Sequence, residues 1–194
     1  CALNGVARAE IRRGDTVLVL GSGPTAQLAA QLARISGASF VVCTGKRDHR
    51  LNVARSLGAN DVINVIERPL EEAVKDLFGS RGPDVIIEAV GVASTFEASL
   101  RLADYGTRVV WFGAAPEEMT VPIKPFHVYR KELRISGSFV NPYTTQAAID
   151  LLASRAVKVE EIITHRYVLK EISQAIDTYS NDDKRIKIMM APGK

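Results

Sequence analysis

Apolar residues recur along the chain in short runs, and each run is followed by a segment with helical periodicity. The run Thr16–Leu20 is continuous and rich in β-branched residues, which is typical of a strand buried on both faces. After it, Leu28, Leu32 and Ile35 fall on one side of a helix. Gly37 is placed to end that helix. A buried strand followed by an amphipathic helix predicts one unit of an α/β protein.

The same alternation continues through most of the sequence. Further strands are expected at Phe40–Thr44, Asp61–Val65, Asp84–Val90, Thr107–Phe112 and Glu132–Phe139. Helices are expected between them at 48–57, 70–78 and 94–103, and the segment before the last strand is interpreted as a proline-bearing loop. Strands separated by single helices predict an α/β fold with a doubly wound parallel sheet of the Rossmann type.

The pattern changes at Pro142, after which strands and helices no longer alternate regularly. The rest of the sequence predicts a helix over 144–154, a short strand, a helix near 171–179 and a final strand over 186–190. We therefore expect two parts. Residues 1–140 would form the Rossmann domain, and residues 141–194 a C-terminal segment.

A glycine-rich turn lies between the first strand and its helix. Gly21, Gly23 and Ala26 form the pattern G-x-G-x-x-A. The first glycine permits a tight turn, the second lets a pyrophosphate approach the backbone, and the third small residue lets helix and strand pack closely. Pro24 suits the first helical position, where free N–H groups and the dipole favour phosphate. This context predicts a dinucleotide site, and a purely structural turn is the alternative.

The end of the second strand bears on which nicotinamide dinucleotide would bind. An acid at this point hydrogen-bonds the ribose diol of NAD, but the chain has Thr44, Gly45, Lys46 and Arg47. Gly45 removes a negative charge and leaves space, and the two cations suit a 2′-phosphate. Asp48, the nearest acid, is better placed as the N-cap of the next helix. The stretch predicts NADP rather than NAD, and solvated loop cations are the alternative.

Composition narrows the possible classes of protein. The 194 residues carry a net charge of +3 with scattered cations, so we expect no nucleic-acid partner. No apolar stretch reaches the length of a membrane span, and no signal peptide opens the sequence. The cysteines Cys1 and Cys43 lie far apart, and no cysteines or histidines have metal-ligand spacing. Reduced thiols suit a cytoplasmic protein, which is the predicted location.

Several stretches together resemble one family. They are GDTVLVLGSGPTAQLAAQLARISGA, ARSLGANDVIN, DVIIEAVG and GTRVVWFG, followed by ELRISGSFVNP and IITHRYVLKEISQAID. The resemblance is to the medium-chain dehydrogenase/reductase superfamily, nearest to its zinc-containing alcohol and polyol dehydrogenases, and it covers nearly the whole chain. It implies an oxidoreductase that moves hydride between a nicotinamide and an alcohol or carbonyl carbon.

The resemblance implies a set of cofactor-binding residues. The pyrophosphate would meet Gly21, Ser22, Gly23, Pro24 and Thr25. The adenosine and nicotinamide would be lined by Val90, Gly91, Phe112 and Gly113, and the carboxamide would meet the backbone of Ser138, Phe139 and Val140. Gly45 falls where NAD-dependent relatives carry aspartate, and Arg47 matches a cation of NADP-dependent ones. Lys187 takes the place of a cation that reaches the pyrophosphate, and an exposed lysine is the alternative.

The resemblance also implies a part of the protein outside this sequence. Cys1 falls within a helix, so the chain looks like a fragment, and relatives hold their zinc ions in an N-terminal domain. We therefore expect zinc only in that domain, and no catalytic or metal-binding residue in this chain. Cys43 is expected in the core. The remaining candidates are interpreted as structural: His49, His127, His165 and Tyr167.

The leading hypothesis is the NADP(H)-binding part of a zinc-dependent alcohol or polyol dehydrogenase, whose full-length form would act on a small alcohol or carbonyl compound. Whether this chain is an enzyme by itself stays open. The alternatives are a non-enzymatic NAD(P)-binding sensor or regulatory module and, against the evidence of Gly45, a methyltransferase. Relatives commonly dimerise through a sheet edge, so a homodimer or tetramer joined at Glu132–Phe139 is expected.

Overall fold

The computed structural model describes residues 1–193 and contains a six-stranded sheet. Its strands are β1 (Thr16–Leu20), β2 (Phe40–Gly45), β3 (Asp61–Asn64), β4 (Val85–Glu88), β5 (Arg108–Trp111) and β6 (Arg134–Gly137). The strand order is β3-β2-β1-β4-β5-β6, and every neighbouring pair is parallel. The Rossmann-type sheet predicted from the sequence is therefore confirmed.

Helices connect and flank these strands. They are α1 (Ala2–Arg8), α2 (Pro24–Ile35), α3 (Asp48–Ser56), α4 (Leu70–Phe78), α5 (Ala93–Leu102), α6 (Pro125–Arg130) and α7 (Thr145–Ala153). The prediction of a loop before the last strand of the sheet is wrong in part, because α6 lies there. This helix has six residues, too few for an apolar period to stand out, and Pro125 at its start was its one sequence signal.

Burial on both faces of the sheet explains the continuous apolar runs: the apolar residues of β1 and β2 that face one side are 0% exposed, and a buried cluster lies on the other side. Leu18, Val42 and Ile86 from three adjacent strands are 0% exposed and share this cluster with Val74 of α4 and Ala98 of α5. Burial of each large aliphatic side chain stabilises the fold by about 1.5–3 kcal/mol. The central strands are therefore apolar along their whole length rather than at alternate positions.

The order of the strands creates a crevice beside β1. The chain runs from β1 outward through α2 to β2, and later returns across the sheet through α4 to β4. Because parallel crossovers are right-handed, connections that run in opposite directions place their helices on opposite faces. The connections that leave the carboxyl ends of β1 and β4 therefore run to opposite faces of the sheet, which makes this a topological switch point, where open α/β sheets bind their ligands.

The C-terminal residues form a second compact unit, which begins at Lys158. In it β7 (Ile163–Val168) pairs in parallel with β8 (Lys187–Ala191), and α8 (Ile172–Asn181) connects them. The first unit ends at Val157 and so includes α7, whereas the sequence placed its boundary at 140/141. The two-part organisation stays a prediction, and Lys194 lies outside the described residues.

Side-chain contacts within this second unit involve two of the residues interpreted as structural. The Tyr167 hydroxyl lies 2.6 Å from the Thr178 hydroxyl on α8. His165 stacks on the Tyr167 ring, and its Nε2 lies 3.1 Å from an Asp182 carboxylate oxygen. These contacts give both residues a role inside the unit.

Candidate cofactor-binding site

A cleft of about 550 Å³ opens at the carboxyl ends of β1, β2 and β4. The glycine turn, the end of β2, the segments after β3 and β4, and one side of α5 form its walls. Its lining residues include Gly21, Ser22, Gly23, Thr44, Gly45, Lys46, Arg47, Arg50, Val65, Leu70, Val90, Thr95, Ala98 and Arg101. The cleft thus coincides with the switch point and brings together the two stretches that the sequence singled out.

The glycine turn has a geometry that requires small residues. Gly21 has a φ of +130°, which L side chains rarely adopt, and a Cβ there would lie 3.2 Å from Val90 and 3.4 Å from the Ala26 Cβ. Its N–H donates to the Thr44 hydroxyl at 3.1 Å. At Gly23, by contrast, no described atom lies within 4 Å of the Cβ position. The space beside Gly23 is open for a ligand, as the motif predicts.

The end of β2 meets the glycine turn directly. A Cβ at Gly45 would lie 2.7 Å from the Ser22 Cβ, closer than real Cβ atoms approach, and 3.1 Å from the Leu51 side chain, which is a tight contact. The sequence predicts free space beside Gly45, but Ser22 fills that space. Any side chain at position 45, including an aspartate, would require the turn to move.

Three cations extend from the end of β2 into the first turn of α3. Lys46 and Arg47 are exposed, Arg50 is partly buried, and all three line the cleft. Arg50 was missed in the sequence, although it lies one helical turn after Arg47. Asp48 does not cap α3 as expected: Arg47 takes the N-cap position, and the Asp48 carboxylate accepts a 2.7 Å hydrogen bond from Asn64.

A buried acid at the end of β4 was also missed. Glu88 is 0% exposed, and its Oε1 accepts hydrogen bonds from the N–H groups of Val90 and Gly91, both at 2.9 Å, and from the Thr95 hydroxyl at 2.7 Å. Its Oε2 has no hydrogen-bond partner among residues 1–193. Glu88 holds the turn from β4 into α5 against the end of its own strand. The sequence feature that could have indicated a role for Glu88 is an acidic residue inside an apolar run.

The ends of β4 and β5 touch through their glycines. A Cβ at Gly113 would lie 2.6 Å from the Gly91 Cα, and one at Gly91 would lie 2.9 Å from the Ala114 carbonyl carbon. The Phe112 ring packs on α1, 3.2 Å from the Cβ position of Gly5. These residues lie at the same edge of the sheet as the cleft but are not among its lining residues, so their predicted contact with the cofactor stays a prediction.

The segment after β6 is held by a residue that the sequence did not indicate. Asn4 of α1 donates from its Nδ2 to the Ser138 hydroxyl at 3.1 Å and to the carbonyl oxygens of Phe139 and Val140 at 3.5 and 3.3 Å. Val140 has a φ of +46°. Asn4 therefore fixes the backbone that is expected to meet the carboxamide. Pro24 and Thr25 open α2, and Lys187 lies on β8 of the other unit, so these assignments also stay predictions.

The described residues offer no metal centre of their own. Within residues 1–193, no three or more histidine, cysteine, aspartate or glutamate side chains group closely enough to hold a metal ion. Burial raises the pKa of the Cys43 thiol to about 12, so Cys43 is protonated and inert at neutral pH. Cys1 is exposed. No helix in the described range is long and apolar enough to cross a membrane.

The chain is similar to known proteins in both sequence and structure. The profile of the family described as zinc-binding dehydrogenase matches residues 24–154. An alcohol dehydrogenase of Cupriavidus necator is 33% identical over 97% of this chain and 52% of its own length. Sorbitol dehydrogenase of Gallus gallus is 34% identical over 97% of this chain and 53% of its own length. A zinc-binding dehydrogenase structure from Sinorhizobium meliloti 1021, bound to NADP, gives a TM-score of 0.92 at 35% identity, covering 99% of this chain and 56% of that one.

The chain belongs to the zinc-binding dehydrogenase family. The resemblance to zinc-containing alcohol and polyol dehydrogenases is thus confirmed, and the methyltransferase alternative is excluded. The chain spans about half the length of the curated relatives it matches. Its Rossmann-type sheet and the cleft at the switch point identify this half as the cofactor-binding part.

Proposed function

We propose that this chain binds NADP(H) for a zinc-dependent alcohol or polyol dehydrogenase and favours it over NAD(H). The observation that carries this proposal is the composition of the cleft at the end of β2. Position 45 has no room for an acid, and Lys46, Arg47 and Arg50 line the same wall. A carboxylate binds a ribose diol, whereas guanidinium groups bind phosphate, often through two hydrogen bonds.

The pyrophosphate lies against the glycine turn. The first turn of α2 begins at Pro24, and its free N–H groups point out of the helix toward the cleft end of the sheet. The helix dipole adds positive potential at the same point. The open space beside Gly23 lets the phosphates approach the backbone.

The 2′-phosphate lies between the glycine turn and the first turn of α3. Arg47 and Arg50 stand one helical turn apart, so both guanidinium groups reach the same wall of the cleft. The nearest acid, Asp48, is bonded to Asn64. A phosphate in this place therefore meets two arginines and one lysine, while a diol meets no carboxylate from position 45.

The adenine lies on the far side of the cleft, where the lining becomes apolar. Val65, Leu70 and Ala98 form this wall. Arg101 closes its rim and pairs with Glu71 across the cleft at 3.1 Å. A flat base with one apolar face and one polar edge fits this combination of residues.

The nicotinamide lies toward the ends of β4, β5 and β6. Val90, Gly91 and Gly113 bring backbone close to the ring, and the segment that Asn4 holds meets the carboxamide. Zinc, which residues outside this chain would hold in the full-length enzyme, would supply a Lewis acid for the substrate oxygen. The residues of this chain bind the cofactor and orient its nicotinamide ring toward a small alcohol or carbonyl substrate.

Assembly and location are part of the same proposal. In the described part of the chain β6 pairs on one side with β5, and its other side carries no strand. A second copy could extend the sheet there, giving the homodimer or tetramer expected from the resemblance.

The proposed cytoplasmic location rests on the two cysteines, which are free thiols rather than a disulfide.

Cofactor fragments test the proposed specificity without the nicotinamide. Calorimetry would compare 2′,5′-ADP with 5′-AMP, which differ only in the 2′-phosphate. We expect 2′,5′-ADP to bind at least about tenfold more tightly, because a charge-assisted hydrogen bond contributes about 1.5–3 kcal/mol. Equal affinities would show that the cations do not read the 2′-phosphate.

A further inference from the structure

Gln27 is a fully buried polar residue on α2 whose hydrogen bonds leave its own helix. It is 0% exposed. Its Nε2 donates to the Ser22 carbonyl oxygen at 3.2 Å and to the Arg50 carbonyl oxygen at 3.1 Å. One amide nitrogen thus bridges the glycine turn and the first turn of α3. These are the two walls between which the 2′-phosphate is proposed to lie.

The chemistry of this bridge requires a primary amide. The two carbonyl oxygens need two donors from one atom, and the Nε2 of glutamine carries two hydrogens without a charge. The reverse orientation of the side chain would place Oε1 against two carbonyl oxygens, so the orientation is determined by the acceptors. In the present orientation Oε1 is buried and has no partner within residues 1–193. A leucine or methionine would avoid that unpaired oxygen, so packing needs do not explain the choice of glutamine.

The bridge joins a set of contacts that all tie the turn to β2 and α3. The Gly21 N–H donates to the Thr44 hydroxyl, and Ser22 fills the space beside Gly45. Gln27 adds the third connection, and of the three it alone reaches α3. The side chains of Arg47 and Arg50 start from the turn of α3 that this bridge holds.

We propose that Gln27 is a positioning residue for cofactor selection. It fixes the distance between the Ser22 carbonyl and the first turn of α3, and thereby holds Arg47 and Arg50 where a 2′-phosphate can meet both. This inference rests on the proposed NADP preference. It adds that the preference depends on a buried amide that cannot itself touch the cofactor.

The test is the substitution Gln27→Met, which keeps the shape of the side chain and removes both donors. Gln31→Met is the matched control, because Gln31 is also buried and lies one turn further along the same helix. Calorimetry would give the Kd of NADPH and of NADH for both variants and the wild type, together with each unfolding temperature. We expect Gln27→Met to reduce the NADPH preference at least about fivefold, and Gln31→Met to leave it within about twofold.

Each result decides between the possible roles. An unchanged NADPH preference in Gln27→Met, or an equal loss in Gln31→Met, would overturn the positioning role and leave Gln27 a core residue. A wild-type chain without NADPH preference would overturn the proposed function instead, and this inference with it.

A second measurement covers the case in which Gln27→Met does not fold. In the wild-type chain, the side-chain amide protons of Gln27 should exchange more slowly with 2′,5′-ADP than with 5′-AMP bound at equal saturation. Equal exchange with both nucleotides would contradict the proposal.

Discussion

Ser22 occupies the space beside Gly45, so that a Cβ at position 45 would lie 2.7 Å from the Ser22 Cβ. The glycine turn in this conformation and a side chain at position 45 therefore exclude each other. The absence of an acid at the end of β2 is a packing requirement as well as a matter of charge. The proposed cofactor preference would therefore depend on two residues rather than one.

Gly45→Asp should destabilise the chain without creating an NAD site. The new side chain must displace Ser22, and overpacking of this kind costs about 1–3 kcal/mol of unfolding free energy, measured by urea denaturation. The double variant with Ser22→Gly removes the obstructing side chain and should recover part of the stability and gain NADH affinity. A single variant as stable as the wild type that binds NADH well would contradict the packing argument.

Arg47→Ala and Arg50→Ala should each weaken NADPH binding about tenfold or more and leave NADH binding nearly unchanged, because each loses a charge-assisted contact with the 2′-phosphate. The matched control is Arg55→Ala. Arg55 lies on the same helix but pairs with Asp61 at 2.6 Å and does not line the cleft. Equal losses for both cofactors, or an equal effect of Arg55→Ala, would point to a general effect on α3.

Glu88→Ala should destabilise the chain by about 2–4 kcal/mol, because it leaves the N–H groups of Val90 and Gly91 without their acceptor and removes the hydrogen bond from the Thr95 hydroxyl. Thr95→Val removes only one of these bonds and should cost about 1 kcal/mol. Urea unfolding followed by circular dichroism measures both. If the two variants lost similar free energies, Glu88 would not organise the turn after β4.

Cys43 should resist alkylation in the folded chain. Its thiol pKa is raised from 9.0 to about 12 by burial, so the reactive thiolate is scarce near pH 8 and lies out of reach of the reagent. Iodoacetamide followed by mass spectrometry should label Cys1, which is exposed, and label Cys43 only after denaturation. Labelling of both cysteines at similar rates in the native protein would mean that β2 opens readily.

The strands and the glycine turn could be predicted because burial and backbone conformation restrict which residues can stand at each of their positions. A strand covered on both faces must be apolar throughout, and Gly21 needs a φ that other residues rarely adopt. Both signals are local. Residues such as Thr16–Leu20 therefore indicate their structure without knowledge of their neighbours in space.

The residues that were missed act through contacts that no sequence pattern indicates: Gln27 reaches Arg50, which is distant in sequence, whereas Glu88 bonds to the turn that directly follows it. Glu88 and Gln27 stand in apolar surroundings, and their roles depend on which N–H or carbonyl group the fold brings to them. The contact of Ser22 with Gly45 likewise appears only once β1 and β2 are paired. Asp48 shows the same limit, because a side chain suited to capping was instead bonded to Asn64 of β3.

The proposed NADP preference is tested most directly by the relative affinity of this chain for NADPH and NADH. Titration of the wild-type protein with NADPH and with NADH, followed by nicotinamide fluorescence at fixed ionic strength, gives both Kd values. The proposed function predicts that NADPH binds at least about tenfold more tightly than NADH, and that added salt weakens the binding of NADPH more than that of NADH. Equal or tighter binding of NADH would contradict it.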